Sequence, residues 1–141
     1  ISRSEDNDKL DEIDEELFSL SVEQDLQDYL IKKIDSLEDG LTIFKDGIEY
    51  KTKSGFIDLL AIDKHDSLVV IELKAGKAKD SALGQLLGYI GSIMDLFPER
   101  NVRGILVASD FEMRVVNAVK HISNIELKQY QVLFNFNEIN E

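Results

Sequence analysis

The chain has 141 residues, of which 43% are hydrophobic and 31% charged, with no cysteine and a formal net charge of −12. This composition excludes a disordered chain, a disulfide scaffold, a thiolate zinc site and a cysteine nucleophile. No apolar run approaches the roughly 18 residues that span a bilayer, and no signal-peptide pattern opens the chain, so we expect a cytoplasmic protein without a membrane partner. Because the sequence begins with Ile1 rather than Met, we expect it to be part of a longer protein.

The acidic residues are concentrated at the start of the chain. Residues 1–16 carry eight acids and two bases, which leaves 20 acids and 14 bases in the rest. We therefore interpret residues 1–20 as an acidic lead-in or linker whose end is held to the domain by Leu17, Phe18 and Leu20. Residues 21–141 are predicted to form one folded domain. The acidic total opposes phosphate binding only weakly once it is divided in this way.

The first predicted element is a helix. Ser21, followed three residues later by Gln24, is a capping-box pattern, and apolar residues at helical spacing predict a helix over 22–35. After Asp39-Gly40 the pattern indicates a strand from Leu41, a turn at 45–47 and a short edge extension over 48–53.

Two β-rich runs follow, over residues 55–63 and 67–74, separated by a polar turn at 64–66. They predict an antiparallel hairpin, and the second run is apolar at consecutive positions, as in a strand buried on both faces. Later elements are predicted in the order helix 80–96, strand 102–108, helix 111–122 capped by Ser109 or Asp110, and strand 125–136. The order α-β-β-β-α-β-α-β predicts an α/β fold with a mixed central sheet flanked by helices.

Three charged residues interrupt the two apolar strands of this hairpin. Asp58 lies in the first strand, while Glu72 and Lys74 lie two residues apart near the end of the second and so share a face. An antiparallel hairpin brings the two carboxylates together, where they repel each other unless a cation neutralises them. Oxygen ligands of this kind suit Mg²⁺ or Mn²⁺, and a neighbouring lysine can stabilise charge on a phosphate. The set is the chemistry of phosphodiester hydrolysis.

A second pair lies on the helix that follows. Gln85 and Tyr89 are four residues apart, on one helix face, and the helix begins just after the strand that carries Lys74. We expect Gln85 to hold a water or a phosphate oxygen and Tyr89 to pack beside it.

These residues form motifs that resemble a known family. G-F-I-D at 55–58, E-L-K at 72–74 and Q-L-L-G-Y at 85–89 resemble the PD-(D/E)XK nuclease superfamily in its RecB-like branch. The longer runs over residues 49–63, 68–78 and 102–110 are similar to the catalytic domain of NucS/EndoMS-type endonucleases, and the resemblance extends over about residues 21–133. It implies a restriction-endonuclease-like α-β-β-β-α-β core, with residues 21–141 as a nuclease-like catalytic domain.

The resemblance also assigns roles. It implies that Asp58 and Glu72 are metal ligands, that Lys74 is the catalytic lysine, and that Gln85 and Tyr89 are accessory catalytic residues. An acid on the first helix would complete the metal site. Glu23 fits that position best, with Asp25 and Gln27 as the alternatives.

The DNA-contacting residues are less sharply defined by sequence. The resemblance places Glu49, Tyr50 and Gly55 along the approach to the site, and Gly55 would meet a need for backbone freedom or close DNA approach. The candidate phosphate contacts are Lys51, Lys53, Lys77 and Lys79. NucS-type proteins carry a separate dimerisation and DNA-binding domain, so we expect either a homodimer or a covalent link to such a domain. Ala75 and Gly88 stand where relatives are often basic, which weakens the expectation of mismatch specificity.

Three functions are weighed against these residues. The first is a Mg²⁺- or Mn²⁺-dependent DNA endonuclease acting in repair or restriction. The second is a nuclease fold that no longer cuts and serves as an adaptor for nucleic acid or protein. The third, an acidic interaction domain unrelated to nucleases, predicts that Asp58, Glu72 and Lys74 lie far apart.

Overall fold

A five-stranded mixed sheet organises the domain. In a computed structural model, which describes residues 2–140 with side chains from Lys9 onward, the strands are β1 (Thr42–Thr52), β2 (Gly55–Ile62), β3 (Leu68–Leu73), β5 (Val102–Ala108) and β7 (Ile125–Gln129). They lie in the order β1-β2-β3-β5-β7. The pairs β1–β2 and β2–β3 are antiparallel, and β3–β5 and β5–β7 are parallel. A short parallel ladder joins β4 (Lys77–Ala78) to β6 (Asp110–Phe111).

Helices cover both faces of this sheet. They are α1 (Ser2–Lys32), a 3-10 turn (Ile34–Ser36), α2 (Asp80–Leu96) and α3 (Met113–Val119). Apolar side chains of α2 and α3 pack on one face, and the end of α1 with the 3-10 turn packs on the other. The architecture is the restriction-endonuclease-like α/β core that the sequence predicts, with the same element order.

The hairpin and its central strand follow the sequence closely. Leu59 pairs with Ile71 and Ile62 with Leu68, which confirms the predicted antiparallel hairpin. All six residues of β3 are buried, because β3 has a strand on each side and helices over both faces. Helix α2 begins and ends at the predicted residues 80 and 96.

The start of the chain differs from its prediction. Helix α1 runs without a break from Ser2 to Lys32, so the predicted helix start at Ser21 is wrong. The segment has no Gly or Pro before Gly40 and is rich in Leu and Glu, so no residue in it ends a helix. The predicted anchoring is also wrong: Leu17, Phe18 and Leu20 are exposed by 60%, 71% and 63%.

The predicted turn at residues 45–47 is a bulge inside β1. The register shifts between Ile43 and Ile48, and Asp46 takes a φ of 59°. Gly47 is required there, because a Cβ at this position would lie 2.3 Å from the Leu60 carbonyl oxygen. Residues 48–53, predicted as an edge extension, continue the same strand after the bulge to Thr52.

The last elements are shorter than predicted. Helix α3 begins at Met113 with Glu112 as its N-cap residue, because Asp110 and Phe111 are held in the ladder with β4. Strand β7 ends at Gln129 rather than residue 136, because its partner β5 ends at Ala108. Without a neighbouring strand, the following residues have no backbone partner to keep them in the sheet.

Arg103 forms a cluster of ion pairs at the end of the sheet opposite the last residue of β3. The Arg103 side chain bonds to Glu38, donates to Asp63 Oδ2 at 3.1 Å and lies 3.9 Å from Glu126. Burial raises the pKa of Asp63, but hydrogen bonds from the Ser67 N–H and from Arg103 outweigh it, so the pKa falls below its ordinary value. The cluster joins the segment after the 3-10 turn, the residue that follows β2, and strands β5 and β7.

Within residues 2–140, every helix is too short or too polar to cross a lipid bilayer.

The bulge gives a test of the fold. We expect Gly47→Ala to destabilise the domain by about 1–3 kcal/mol, because the added methyl collides with backbone oxygens rather than flexible side chains. Gly91→Ala is the matched control, since nothing lies within 4 Å of its Cβ position, and it should stabilise α2 by roughly 1 kcal/mol. Urea unfolding of the two variants measures both changes. Equal stability of the Gly47→Ala variant and the wild type would contradict the bulge.

Candidate active site

The two predicted carboxylates meet where the β2–β3 ladder ends. The register that pairs Leu59 with Ile71 continues to Asp58 and Glu72, which puts these residues opposite each other. The Asp58 N–H donates to Glu72 Oε1 at 3.2 Å, and the Leu73 N–H donates to Asp58 Oδ2 at 2.8 Å. Glu72 is 3% exposed. The carboxylates therefore accept the N–H groups that the ladder leaves without carbonyl partners.

Burial sets the electrostatics of this pair. Desolvation, followed by the negative charge of Asp58, raises the pKa of Glu72 from 4.5 to about 8. The pKa of Asp58 is raised as well, chiefly by desolvation. Two buried acids that resist ionisation side by side are stabilised by any cation placed between them.

Lys74 brings a positive charge to the two carboxylates from the position directly after β3. It follows Leu73 directly, and its N–H donates to the Val107 carbonyl at 2.8 Å, which continues the β3–β5 pairing. Its charge acts on both carboxylates and lowers the pKa of each, although burial outweighs it at both positions. The structure thus brings Asp58, Glu72 and Lys74 into one group, so the hypothesis that they lie far apart is wrong.

Helix α1 contributes two side chains from the other side of the site. Glu23 Oε1 accepts the Ala75 N–H at 3.1 Å, and its charge raises the pKa of Asp58. Gln27 is buried and donates to the Asp58 carbonyl at 3.0 Å. Of the three candidates on this helix, Glu23 therefore supplies a carboxylate beside Asp58, while Gln27 holds the β2 backbone.

A cleft of about 180 Å³ opens over these groups. Its lining residues are Leu20, Glu23, Gln24, Gln27, Glu49, Asp58 and Leu73. Glu49 enters this lining because its neighbours Ile48 and Tyr50 pair with Leu59 and Ile57, which flank Asp58. Its φ of 50° is unusual for a residue with a side chain. Sequence reasoning placed Glu49 on the approach but could not place it beside Asp58, because the bulge sets the register.

The donor set fits a hard divalent cation as a pair of ligands. Among residues 9–140, no group of three or more His, Cys, Asp or Glu side chains is arranged to hold a metal ion. The role of Glu23 as a further ligand stays a prediction. Each carboxylate offers about four lone-pair positions, and backbone N–H groups occupy few of those on Asp58 and Glu72. Carboxylate oxygens are the ligands that Mg²⁺ and Mn²⁺ prefer. A cation bound here would favour the ionised forms of two acids whose pKa values are raised.

The accessory pair lies beside the carboxylates. Gln85 Nε2 donates to the Tyr89 hydroxyl at 3.0 Å, as expected for residues four apart on α2. Tyr89 is buried, and burial raises its pKa, with the charges of Glu72 and Asp58 adding to the effect. Gly55 has a φ of 124°, and a Cβ there would lie 3.0 Å from the Tyr89 hydroxyl. The close approach of this strand to α2 is the reason that the motif carries glycine.

The four candidate phosphate contacts divide into two places. Lys51 and Lys53 line a cavity of about 420 Å³ between the β1–β2 turn and α2, together with Thr52, Ser92, Asp95 and Leu96. The Ser54 and Ser92 hydroxyls are 2.7 Å apart beside it. Lys77 and Lys79 are exposed on the segment between Lys74 and α2. Lys51 and Lys53 therefore lie beside the C-terminal half of α2, and Lys77 and Lys79 lie on the segment between Lys74 and the start of α2.

Tyr130 is a residue near the site that no sequence signal indicated. Its hydroxyl hydrogen-bonds to the Ala75 carbonyl, and its N–H donates to the Ala108 carbonyl at 3.0 Å. It fixes the segment that follows Lys74 against the end of β5. Tyr130 comes just after β7, so its role depends on tertiary packing that no motif describes.

A mixed sheet of this order, with paired carboxylates and a lysine where the central strands end, defines the restriction-endonuclease-like class of nuclease folds. A family model described as the endonuclease NucS C-terminal domain matches residues 22–133. The chain belongs to the NucS C-terminal domain family.

Curated relatives agree with this family. The chain is 36% identical over 107 residues to endonuclease NucS of Sulfolobus acidocaldarius, covering 76% of this chain and 41% of that protein. It is 38% identical over 101 residues to endonuclease NucS 2 of Halobacterium salinarum, covering 70% of this chain and 38% of that protein. The chain thus spans about two fifths of the length of these relatives.

Solved structures show the same fold. A repair endonuclease from Pyrococcus abyssi superposes with a TM-score of 0.67 at 26% identity, covering 75% of this chain and 45% of that one. A structure of an EndoMS–dsDNA complex gives a TM-score of 0.68 at 21% identity, covering 78% of this chain and 44% of that one.

The pKa of Glu72 predicts a pH-dependent stability in the metal-free protein. Because the folded pKa is about 8 and the ordinary value 4.5, the folded state holds this proton more tightly, and stability falls as pH rises between those values. We expect Glu72→Gln to raise the Tm above that of the wild type by several degrees at pH 8.5, and by little at pH 4.5. Thermal unfolding across this pH range, with chelator present, measures the difference.

Glu99→Gln is the control for this measurement, since Glu99 is exposed on the turn after α2. Its Tm difference from the wild type should stay constant with pH. A Glu72→Gln difference that is equally constant would contradict a buried, proton-retaining Glu72.

Proposed function

We propose that this domain is a Mg²⁺- or Mn²⁺-dependent DNA endonuclease that hydrolyses phosphodiester bonds, acting in the cytoplasm in DNA repair rather than restriction. The observation that carries the proposal is the buried Asp58–Glu72 pair beside Lys74, in a chain of the NucS C-terminal domain family. The relatives' names as endonucleases and the repair endonuclease from Pyrococcus abyssi support the activity class.

Asp58 and Glu72 would hold the cation. The pKa of each stays raised although Lys74 lies nearby, so binding of Mg²⁺ or Mn²⁺ would remove the repulsion between them. Such a cation, when bound, lowers the pKa of water and neutralises charge on a phosphate. Glu23 and Glu49 add negative charge to the same cleft and favour its entry.

Lys74 would orient the attacking water and stabilise the phosphate. Its ammonium group supplies three donors and a positive charge next to the two carboxylates, where negative charge develops on the phosphoryl oxygens during attack. Gln85 uses Nε2 to bind Tyr89, so its amide oxygen can accept from a water while Tyr89 holds the amide in place. Gly55, in the strand that carries Asp58, lies so close to Tyr89 that a side chain there would crowd its hydroxyl.

The lysines would position DNA around this centre. Lys51 and Lys53 share a cavity with the Ser92 hydroxyl and can take a phosphate on the Gly55 side. Lys77 and Lys79 are exposed on the segment between Lys74 and α2 and can take a second phosphate. Contacts of this type bind the backbone and carry no sequence information, so we propose a domain that cuts while the choice of substrate depends on other parts of the whole protein.

The net charge of −12 favours a second candidate, a nuclease fold that no longer cuts and acts as an adaptor for nucleic acid or protein. An adaptor has no need of a metal site. The two functions therefore differ in cation binding as well as in cleavage.

We expect Asp58→Asn and Lys74→Ala each to lower Mn²⁺-dependent cleavage of plasmid DNA by at least about a hundredfold, the loss typical of an electrostatic catalytic group. Asp58→Asn removes a ligand charge, and Lys74→Ala removes the stabilising cation. Asp35→Asn, at an exposed position of the 3-10 turn that lines neither the carboxylate cleft nor the lysine cavity, should retain activity. Unchanged cleavage in both site variants would overturn the proposal.

Calorimetric titration with Mn²⁺ separates the two candidates. An endonuclease site binds Mn²⁺ in the wild type and in Lys74→Ala, and loses most of that binding in Asp58→Asn, since the aspartate is the proposed ligand. A wild type that binds no Mn²⁺ and cuts no DNA would support the adaptor.

The lysine pair gives a separate test. We expect Lys51→Ala/Lys53→Ala to weaken DNA binding and to reduce the slope of log affinity against log salt by about 1.8, for two lost phosphate contacts. Lys64→Ala/Lys120→Ala removes the same charge from positions remote from the cleft and should leave the slope nearly unchanged. Fluorescence anisotropy with Ca²⁺ in place of Mn²⁺ measures both without cleavage. Equal slopes in the two double variants would show that Lys51 and Lys53 do not contact phosphates.

A further inference from the structure

The first part of α1 exposes a line of large aliphatic side chains. Leu10, Ile13, Leu17 and Leu20 are 59%, 52%, 60% and 63% exposed. Side chains at Lys9–Leu20 are all exposed, and the first buried side chain of α1 is Gln27. Apart from Leu20, which lines the edge of the carboxylate cleft, the described side chains of this stretch therefore extend beyond the domain without packing on it.

The spacing of these four residues is that of a coiled coil. Steps of three, four and three place Leu10 and Leu17 at heptad a positions and Ile13 and Leu20 at d positions. Phe18, equally apolar and 71% exposed, lies off this line. An apolar line of a/d spacing on a helix without a partner is the surface that a second helix covers.

The charged residues around the line fit a second copy of the same helix. Asp11, Glu12 and Glu15 take the b, c and f positions, which face water in a two-stranded coiled coil. Lys9 and Glu16 take g positions, and Asp14 takes the e position that follows Lys9. In a parallel pair, Lys9 of each helix faces Asp14 of the second copy, which gives two ion pairs across the seam.

The side chains of Lys9 and Asp14 cannot pair with each other within one helix. The two residues are five apart, whereas side chains meet along a helix at spacings of three and four. An antiparallel pair would instead bring the two Asp14 side chains towards each other at the centre of the seam, where they repel. The charges therefore select the parallel arrangement.

We propose that α1 pairs in parallel with α1 of a second copy of this chain, through the seam formed by Leu10, Ile13, Leu17 and Leu20. The proposal does not depend on nuclease activity. Because α1 continues unbroken from this seam to Glu23, the pairing would also hold two carboxylate clefts at a fixed distance from one another.

Sedimentation equilibrium on the 141-residue chain tests the pairing. We expect the mass of two chains in the wild type, and a dissociation constant raised at least about tenfold by Leu17→Glu. Phe18→Glu is the matched control: it adds the same charge one residue on, off the seam, and should leave the mass at two chains. Circular dichroism confirms that both variants remain helical. A monomeric wild type, or equal weakening by the two substitutions, would overturn the proposal.

Two further variants test the orientation. Lys9→Glu should weaken the pair, and adding Asp14→Lys should restore it, because the reversed charges face each other again only in parallel helices. The chain has no cysteine, so Ile13→Cys introduces a single thiol, which in a parallel pair lies opposite its own copy and forms a disulfide on oxidation. No crosslinking of Ile13→Cys, together with no rescue by the charge swap, would refute the parallel seam.

Discussion

Where the central strands end, three carboxylates accept hydrogen bonds from backbone N–H groups in place of backbone carbonyls. Past the Leu59–Ile71 pair, strands β2 and β3 no longer bond backbone to backbone, and the N–H groups of Asp58 and Leu73 turn to the side chains of Glu72 and Asp58. Glu23 does the same for Ala75 from across the interface with α1. Buried N–H groups need acceptors, so the acids are part of the fold before they are part of any chemistry.

That double use explains the charge state of the site. Backbone N–H groups satisfy individual oxygens but carry no full positive charge, and Lys74 alone does not offset the burial of two acids. Loss of the carboxylates would leave unpaired N–H groups, and keeping them leaves unbalanced charge. Under the proposed function, a divalent cation bound by Asp58 and Glu72 would offset this charge. The lack of a side chain at Gly55 lets the adjoining strand approach Tyr89 of α2 closely.

The sequence predicted the parts of the molecule in which local pattern and packing agree. The β2–β3 hairpin, helix α2 and the Asp58, Glu72 and Lys74 group follow from apolar runs and from charges placed inside them. The length of α1 was missed because a capping-box pattern at Ser21 also occurs inside a helix when the preceding residues are helix formers. The β1 bulge and the early end of β7 were missed because each depends on a neighbouring strand, and those contacts have no local signal.

Arg103 gives the opposite end of the same strands a contrary response to acidity. The carboxylate of Asp63 gains stability by being ionised beside Arg103, so protons weaken that end as pH falls. Glu72, at the other end of the hairpin, favours its protonated form, because it is buried next to Asp58. Acid loosens one end of the sheet and alkali the other. The stability of the domain therefore decreases both towards low pH and towards high pH. A cation bound beside Glu72 would extend the stable range to higher pH and leave its acid limit unchanged.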